Sequence, residues 1–378
     1  MKFVISRDIL IANVQDVMKA ISSRTAIPIL TGMKIEAKEH GITLTGSDSD
    51  ISIESYIPAE EEGIVHVEQI EPGDIVIQAR YFPDIIRKLP NPTVEISTDD
   101  NMQVTIRSGN AEFQLNGQDA AEYPQFPVMN GDQSFKIASD ILKSLIKQTA
   151  FAISAMETRP ILTGINVKLE DNILTFTATD SHRLASKQVP VENTDVEIDS
   201  IVIPGKSLTE LNKILIEKND PVEISITKNQ ILFRTNHLSF MSRLLNGNYP
   251  ETSRLIPDDS KTVMHVKTKN LLHMVERAAL LAKDESNNVV KLNTVDDSTI
   301  EITGQSPDIG HVEERMQIDA MEGEEIKISF SSKYVMDALK AIENDMVTIH
   351  FTGGMRPFII RPANEDPILQ LILPVRTF

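Results

Sequence analysis

The hexapeptide TDSHRL, at residues 179–184, places a carboxylate, a hydroxyl and an imidazole side by side. These are the groups of a hydrolytic triad, with His182 as the base and Asp180 or Ser181 beside it. If the segment is a strand, neighbouring side chains point to opposite faces, so Asp180 and Ser181 do not both orient His182. We therefore expect a packed or hydrogen-bonded histidine, and an enzyme that uses His182 remains the alternative.

Carboxylates that could bind a cation alternate in GSDSDISIE, at residues 46–54. The segment lacks the glycine and the closing glutamate spacing of an EF-hand loop, so a strand with a turn is expected there instead. The sequence contains no Walker loop, no GxGxxG and no HExxH. Because it also contains no cysteine, disulfides, thiolate metal sites and cysteine nucleophiles are excluded. We expect no metal, no cofactor and no enzymatic activity.

The composition is that of a globular protein of two or three domains, with 378 residues, of which 41% are hydrophobic and 24% charged. No apolar run approaches the roughly eighteen residues of a membrane-spanning helix. Arg7 and Asp8 interrupt the N-terminus before a signal-peptide core can form. These features predict a cytoplasmic protein without a membrane partner. The net charge of −18 argues at first against a nucleic-acid partner.

The string PILTG occurs at residues 28–32 and again at 160–164, an offset of 132 residues. The same offset aligns Phe3 with Phe135, and an offset of 126 aligns residues 74–89 with 200–215. Fainter copies of the same helix and strand patterns lie at 266–282 and 325–342. The chain is therefore expected to contain three copies of one domain. Their predicted bounds are 1–125, 130–250 and 261–378.

Each copy alternates apolar strands with amphipathic helices, so the predicted fold class is α+β, with two helices and small antiparallel sheets per domain. The segments VEISTDDNMQVTIRSG and VEISITKNQILFRT are typical of hairpins. Helical spacing of apolar residues predicts six helices, over residues 8–20, 80–89, 140–152, 206–216, 267–282 and 333–342.

Positive charge is concentrated in these six windows, which hold thirteen Lys and Arg against seven Asp and Glu, although the chain as a whole is strongly acidic. In one interpretation, loops and strand edges simply collect the carboxylates. In the other, equivalent helices line a common surface that meets a polyanion. So small an excess of cations would hold DNA weakly, because affinity follows the number of phosphates neutralised. A protein of this kind could remain on DNA by encircling it.

Seven strings in order along the chain resemble the bacterial DNA polymerase III beta subunit, the sliding clamp family: SRTAIPIL, GSDSDISIES, TATDSHRLA, VIPGKSLTEL, GNYPETSRLIP, SFSSKYVMDALKA and LQLILPVRTF. The resemblance implies that two chains join head to tail into a closed ring of six domains. It implies a processivity factor that encircles duplex DNA without reading sequence. The implied partners are the replicative polymerase catalytic subunit, the clamp loader and other replication and repair proteins. A repeat scaffold that does not bind DNA stays a second alternative.

The resemblance places DNA contacts at Arg24, Arg80 and Lys206. The last two are equivalent at the offset of 126, and each is expected to open the second helix of its domain. A cation at a helix N-terminus opposes the macrodipole, so local stability does not explain the pair. A solvated surface charge is the alternative for all three.

The resemblance also implies a pocket between the second and third domains, which binds a short peptide of client proteins. The family often has methionine in the C-terminal tail, where this chain has leucine and valine. Aliphatic walls with Arg and His at the rim suit such a peptide. The implied pocket residues are Arg159, Leu162, Thr179, His182, Arg183, Leu184, Pro250, Arg254, Leu255, Ser331, Tyr334, Met355, Pro357, Leu373, Pro374, Val375 and Arg376. A buried C-terminal strand, with Leu369, Leu371 and Leu373 on one face, is the alternative for the tail.

A dimer interface is implied between Phe113 and Leu115 of the first domain and Leu280 and Leu281 of the third. The segment AEFQLNG around Phe113 is a candidate edge strand, and an unpaired apolar edge is a liability unless a partner covers it. The alternative is that all four are core residues of a single chain.

Overall fold

The computed structural model describes residues 1–126, 134–192, 194–216, 220–282 and 288–376. The predicted start of the second domain at residue 130 and the end of the third at residue 378 lie outside these ranges, as does the last part of the C-terminal tail.

Six α-helices lie in the described part of the chain, and each falls within a few residues of a predicted window. The largest difference at a helix start is at the second window, where the helix starts at Phe82 rather than at residue 80, with Pro83 in its first turn. Arg80 therefore precedes the helix instead of opening it. The helices are α1 (Arg7–Val17), α2 (Phe82–Lys88), α3 (Ser139–Thr149), α4 (Gly205–Ile214), α5 (Thr268–Ala279) and α6 (Ser332–Ala341).

The repeated PILT string forms the same structure twice, as 3₁₀ turns at Pro28–Thr31 and Pro160–Thr163. Proline occupies the first turn of each, where its fixed φ suits the turn and its missing N–H costs nothing. Each turn leads directly into a strand through the glycine that completes PILTG. The recurrence therefore marks equivalent turns in two copies of one domain.

The strands also follow the repeat. The first copy contributes β1 (Lys2–Ser6), β2 (Gly32–Lys38), β3 (Gly41–Ser47), β4 (Ile51–Pro58), β5 (Glu60–Glu61), β6 (Ile64–Val65), β7 (Val67–Glu71), β8 (Gly73–Gln78), β9 (Thr93–Thr98), β10 (Gln103–Ser108) and β11 (Ala111–Gln118). The second contributes β12 (Ser134–Ala138), β13 (Gly164–Glu170), β14 (Ile173–Thr179), β15 (Arg183–Pro190), β16 (Ile198–Pro204), β17 (Pro221–Ile226), β18 (Gln230–Arg234) and β19 (Leu238–Arg243). The third contributes β20 (Thr262–Lys267), β21 (Val289–Asp296), β22 (Thr299–Ser306), β23 (Gly310–Gln317), β24 (Ala320–Gly323), β25 (Lys327–Ser331), β26 (Met346–Phe351), β27 (Phe358–Pro362) and β28 (Ile368–Ile372).

These strands form two compact units that do not coincide with the three copies. One unit contains residues 1–139 and 213–244, and the other contains 140–212 and 245–378. The first unit holds a thirteen-stranded sheet in the order β12-β17-β18-β19-β4-β3-β2-β8-β11-β10-β9-β1-β7. The second holds a nine-stranded sheet, β16-β13-β14-β15-β28-β27-β26-β20-β24, and a four-stranded sheet, β23-β22-β21-β25. The small sheets predicted within each copy are thus joined across copies.

The sheets of neighbouring copies are joined by an equivalent pair of strands in each unit. In the first unit β19, the last strand of the second copy, pairs antiparallel with β4, so that Met241 lies opposite Ser52. In the second unit β28, the last strand of the third copy, pairs with β15, so that Leu371 lies opposite Leu184. We call these two strand pairs the junctions. Each one satisfies a row of backbone donors and acceptors that would otherwise form an open edge.

Two further strands occupy positions equivalent to those at the junctions. β11 is the last strand of its copy, like β19 and β28, and β23 is the counterpart of β4 and β15 in the third copy. Within the described residues, both strands have an open edge. β11 pairs with β10 along its length but meets β8 only at Gly117 and Gln118, so Ala111–Asn116 have a free side. β23 pairs with β22 alone. The prediction that AEFQLNG is an edge strand is therefore confirmed.

Helix packing follows the amphipathic pattern that predicted the helices. On α5, Leu271, Met274, Val275 and Ala278 are buried in the core of the third copy, together with Leu339 of α6. Their i, i+3, i+4, i+7 spacing places them on one face of the helix. No helix in the described ranges has the length and apolar character needed to cross a membrane.

The Tyr-Pro pair that closes the first two copies has a common structural role. Tyr249 accepts a hydrogen bond on its phenol oxygen from the backbone N–H of Thr179, at 3.0 Å. Tyr123, its equivalent at the offset of 126, is bonded by the backbone of Ser47, the position equivalent to Thr179. Burial raises the pKa of Tyr249 and raises the pKa of Tyr123 to about 12. Both tyrosines therefore hold a strand end in place as neutral phenols.

We predict that Tyr123 stays protonated in the folded protein while pH rises from 10 towards 12. An unfolded tyrosine ionises near pH 10, so this group stabilises the fold below that pH and its contribution is lost between the two values. Tyrosinate absorbance measures the ionisation, with circular dichroism to follow folding, and the chain has five Tyr and no Trp to confuse the signal. Y123F should remove a component of this absorbance above pH 10. Ionisation of Tyr123 near pH 10 in folded protein would contradict the prediction.

Candidate functional site

The centre of TDSHRL is a turn. Strand β14 ends at Thr179 and β15 begins at Arg183, so the prediction of a strand through Asp180, Ser181 and His182 was wrong. Asp180 Oδ1 accepts hydrogen bonds from the backbone N–H groups of His182 (2.9 Å) and Arg183 (3.0 Å). Ser181 takes a left-handed φ of 78° to complete this turn. A short aspartate side chain that bonds backbone two and three residues ahead favours a turn over a strand.

The first copy forms the same turn. Asp48 Oδ1 accepts from the backbone N–H groups of Asp50 (3.1 Å) and Ile51 (2.9 Å), and Ser49 has a φ of 80°. The carboxylate of Asp48 is thus directed at backbone donors. This turn accounts for part of the acidic pattern in GSDSDISIE without a bound cation.

The three side chains at the turn do not form a triad. The second carboxylate oxygen of Asp180 accepts from Arg183 Nε at 3.0 Å, and Ser181 Oγ lies 3.4 Å from Arg159 Nη1. The imidazole of His182 instead stacks on Tyr334, with 6.4 Å between ring centroids and 19° between ring planes. His182 is nevertheless exposed, so the expectation of a packed histidine is met only by this ring contact. The turn, and not alternation along a strand, separates the three side chains.

Arg183 organises the site as a buried cation, with 7% of its surface exposed. Besides Asp180, its guanidinium donates to Asp337 Oδ2 and to the carbonyl of Phe151, each at 2.6 Å. It also lies over the rings of Tyr334 (4.5 Å) and Phe151 (5.3 Å). A buried charge is tolerated when it is paired and hydrogen-bonded in this way. These contacts tie the turn to α6 and hold Tyr334 beside His182.

An apolar floor lies next to the turn. Leu184, Ile359, Leu369 and Leu371 form one buried cluster, and Leu373 packs partly buried against it. Every residue of β28 is buried, and Ile368 and Ile372 belong to the core on its other face. The expected buried strand with Leu369, Leu371 and Leu373 on one face is therefore confirmed. The tail continues past β28, where the N–H of Leu373 bonds the carbonyl of His182 at 2.9 Å. This bond brings the tail and the turn together.

The other predicted pocket residues divide into a buried and an exposed group. Leu162, Thr179 and Ser331 are buried, and Ser331 pairs with Val289 in the four-stranded sheet. The N–H of Val375 bonds the carbonyl of Ser329 at 2.8 Å, which fixes the half-buried tail. Pro357 and Pro374 are also half-buried. The exposed members are Arg159, Pro250, Arg254, Leu255, Met355 and Arg376, with Met355 at 62% exposure.

Sequence reasoning missed the groups that hold Arg183 in place. Asp337 and the Phe151 carbonyl bind Arg183 across 154 and 32 positions of chain. Asp337 follows Tyr334 by three residues on α6, so helical spacing places the two on one face but does not indicate Arg183 as a partner. The Phe151 carbonyl carries no side-chain signal at all.

The three predicted DNA contacts are exposed cations without a carboxylate partner among the described residues. Arg24 lies in the loop before the first PILT turn, and Lys206 is the second residue of α4. Arg80 places its guanidinium 5.2 Å from the centroid of the Tyr81 ring. Some other exposed arginines are paired with glutamate, as in Arg107–Glu112, Arg277–Glu314 and Arg315–Glu301. In the last pair Arg315 holds the pKa of Glu301 below its ordinary value.

The predicted interface residues are located where a partner could reach them. Phe113 is exposed and Leu115 half-buried on β11, whose edge is open. Leu280, directly after α5, is 61% exposed, and Leu281 is half-buried. Phe113 and Leu280 are therefore not core residues of a single chain, which removes that alternative for both.

Three family models match the chain in order. They describe the N-terminal, central and C-terminal domains of the DNA polymerase III beta subunit, and they match residues 1–127, 136–251 and 253–376. The beta sliding clamp of Bacillus subtilis is 54% identical over 380 residues, with 100% of each chain covered. That of Halalkalibacterium halodurans is 50% identical over the same length and coverage.

Solved structures agree with these matches. The crystal structure of the DNA polymerase sliding clamp from Bacillus subtilis superposes with a TM-score of 0.96, and 100% of each chain is covered. The beta chain of DNA polymerase III from Streptococcus pneumoniae superposes with a TM-score of 0.94 at 38% identity, again with 100% of each chain covered.

We predict that R183L destabilises the fold by about 3–5 kcal/mol, because it leaves Asp180 and Asp337 without their buried cation. D337N should cost less, since the amide oxygen still accepts from the guanidinium. R87L is the matched control, as it breaks the exposed Arg87–Asp84 pair on α2 and should change stability by no more than about 0.5 kcal/mol. Urea unfolding measures all three. Equal losses for R183L and R87L would contradict the anchoring role of Arg183.

Proposed function

Because the chain belongs to the DNA polymerase III beta subunit family, it is a DNA sliding clamp and not an enzyme, and we propose that its two open sheet edges close it into a ring with a second copy. The open edges of β11 and β23 carry this proposal. At each junction the last strand of one copy pairs with a strand of the preceding copy, namely the strand that follows the Asp48 turn or the Asp180 turn. β11 is the last strand of the first copy, and β23 is the strand after the turn in the third. A junction of the same kind between β23 of one chain and β11 of another, made twice, joins two chains head to tail.

The proposed interface covers the apolar residues at those edges. Phe113 and Leu115 lie on β11, while Leu280 and Leu281 follow α5 of the third copy. A head-to-tail interface uses two different surfaces, so it forms a ring when the rotation closes. The domain bounds 1–125, 130–250 and 261–378 belong to the same proposal, as the three modules that make half of this ring.

DNA would lie inside the ring, against Arg24, Arg80 and Lys206. Their cations have no carboxylate partner among the described residues, so they are available to phosphates. Contacts to phosphates position DNA without reading its sequence, which permits sliding. In a chain of net charge −18 such contacts hold DNA weakly, and the closed ring supplies the retention.

The pocket around Arg183 is the proposed site for a short peptide of each client protein. The floor of Leu184, Leu371 and Leu373 suits aliphatic or aromatic side chains, and the exposed arginines suit a polar or acidic flank. The proposed clients are the replicative polymerase catalytic subunit, the clamp loader and other replication and repair proteins. Binding to a ring on DNA raises the polymerase's effective concentration at the primer end. The place of action is then the replication fork in the cytoplasm.

The first test is retention on plasmid DNA. Protein loaded by a compatible clamp loader onto nicked circular DNA should survive high salt and should dissociate when the plasmid is cut. Loss in high salt before cutting would indicate ordinary electrostatic binding, and no retention at all would favour a scaffold that does not bind DNA. R80E/K206E should reduce loading by at least about tenfold, as phosphate contacts become repulsive. K228E reverses an exposed charge in the turn between β17 and β18 and should load normally.

The same assay tests ring closure. L280D should give a monomer by light scattering and abolish retention, because it places a carboxylate in the proposed interface. I64K is its control, since Ile64 is equally exposed on the β5–β6 hairpin. A dimer with L280D would contradict the interface.

The pocket is tested by client binding. L255S/M355S should weaken a fluorescent peptide from the clamp-binding segment of the replicative polymerase by at least about tenfold, or roughly 1.4 kcal/mol. Both side chains are more than half exposed, so the fold should be unaffected. I309S removes an equally exposed apolar side chain from the turn between β22 and β23 and should bind normally. Unchanged affinity in the double variant would place the peptide elsewhere.

A further inference from the structure

The first compact unit contains a cavity at its junction that is equivalent to the pocket around Arg183. It has a volume of about 210 Å³ and lies between the PILT turn at Pro28–Thr31, the Asp48 turn and strand β19. In the second unit the corresponding elements are the PILT turn at Pro160–Thr163, the Asp180 turn and strand β28. Leu30 lines the cavity, and Leu162 is its counterpart. The two sites therefore share one framework.

The lining of the cavity differs from that of the pocket at three positions. Ser52 lies opposite Met241, where the pocket has Leu184 opposite Leu371. Arg243 follows Met241 by two residues, where Leu373 follows Leu371. Gln230, paired with Arg243, replaces Pro357. One wall stays apolar, with Leu30, Ile27 and Met241, and the other becomes polar.

Ser47 and Ser52 place two hydroxyl groups on the polar wall, and one of their two O–H donors has no acceptor among the described residues. Ser47 and Ser52 are 8% and 6% exposed, and their Oγ atoms are 2.8 Å apart. A single hydrogen lies between them, and Ser47 Oγ also accepts from the backbone N–H of Ser49 at 3.3 Å. The second O–H of the pair has no acceptor among the described residues. Buried hydroxyl donors are normally hydrogen-bonded, so this O–H is available to an acceptor on a ligand.

Arg243 adds a cation to the same wall. Its side chain lines the cavity and makes no ion pair or hydrogen bond with any described residue. No carboxylate is among the residues that line the cavity. Glu54, the next residue on that face of β4, accepts a hydrogen bond from Thr45 at 3.4 Å, and burial raises its pKa. The wall thus presents a donor and a positive charge, which together suit an anion with hydrogen-bond acceptors.

We propose that this cavity is a second peptide site, which takes the C-terminal residue of a partner peptide when that residue is aliphatic. The α-carboxylate would meet Arg243 and the Ser47–Ser52 pair, and the side chain would lie on Leu30 and Met241. In a C-terminal residue the carboxylate and the side chain are both attached to the α-carbon. One residue can therefore contact the polar wall and the apolar wall at the same time. The volume is below the roughly 300 Å³ of sites for drug-sized ligands, so it suits one residue. A phosphate would leave the apolar wall unfilled.

Methionine methyl groups allow the two sites to be observed separately. In full-length protein labelled with ¹³C at the methionine methyls, Met241 reports on this cavity and Met355 on the pocket around Arg183. N-acetyl-leucine should shift the Met241 resonance in a saturable way, and N-acetyl-leucinamide should bind at least about tenfold more weakly. M241L assigns the resonance.

Two variants test the proposed contacts. R243Q and S52L should both remove the preference for the acid over the amide, the first by loss of charge and the second by loss of the donor and of space. R234Q is the matched control, because Arg234 is an exposed arginine of β18 that does not line the cavity. Since Arg243 is exposed, R243Q remains informative if S52L does not fold.

No shift at Met241, equal shifts with acid and amide, or a shift confined to Met355 would each overturn the proposal. These readouts do not involve DNA or ring closure. Failure here would therefore leave the clamp function untouched, and failure of the plasmid assay would leave this site untouched.

Discussion

Backbone pairing at the junctions determines most of what this chain can do. Each copy of the domain ends a sheet at a strand whose amide and carbonyl groups need a partner. β4 obtains its partner from β19, and β15 obtains its partner from β28. A copy on its own would expose an apolar edge that invites aggregation. The pairing rule that builds the sheets within a chain also leaves β11 and β23 available, and so extends naturally to a second chain.

Both candidate binding sites lie at these junctions because turns and strand ends converge there. An aspartate turn precedes the junction strand in each unit, and a PILT turn lies beside it. The side chains placed on this framework then decide the chemistry. At position 183 the second copy has an arginine held by two aspartates, while the equivalent position 51 in the first copy has a buried isoleucine. Leucines form the floor of one site, where serine and arginine line the other.

Local pattern predicted a large part of this fold. The six helices, the hairpins and the edge strand around Phe113 all follow from periodicity, which depends on neighbours within a few residues. The turn at Asp180 was misassigned because β-compatible residues flank it on both sides and Ser181 gives little sign of a left-handed φ. The start of α2 was placed too early because Arg80 and Tyr81 are compatible with a helix. Boundaries of this kind are set by capping geometry, which sequence patterns define loosely.

The contacts that hold Arg183 in place were beyond such patterns. Arg183 meets Asp337 across 154 residues, and no local spacing encodes that distance. The burial of all of β28 has the same origin, since both faces of the strand are covered by elements that are far away in sequence. Resemblance to a family supplied the list of predicted pocket residues, but it did not supply Asp337 or the Phe151 carbonyl, because these act through Arg183. These two groups position the Arg183 guanidinium, and only the folded chain brings them next to it.

The distribution of charge explains how an acidic protein can act on DNA. Several arginines on the sheets are paired with glutamates, as in Arg107–Glu112 and Arg315–Glu301, so these contribute little positive potential to the surface. Arg24, Arg80 and Lys206 have no such partners among the described residues. A few free cations in an acidic molecule give weak attraction to phosphates and strong repulsion elsewhere. Weak attraction favours sliding, because a tightly held phosphate would have to be released at every step. Because this attraction is weak, retention of the protein on DNA has to come from closure of the ring. Closure depends in turn on the open edges of β11 and β23.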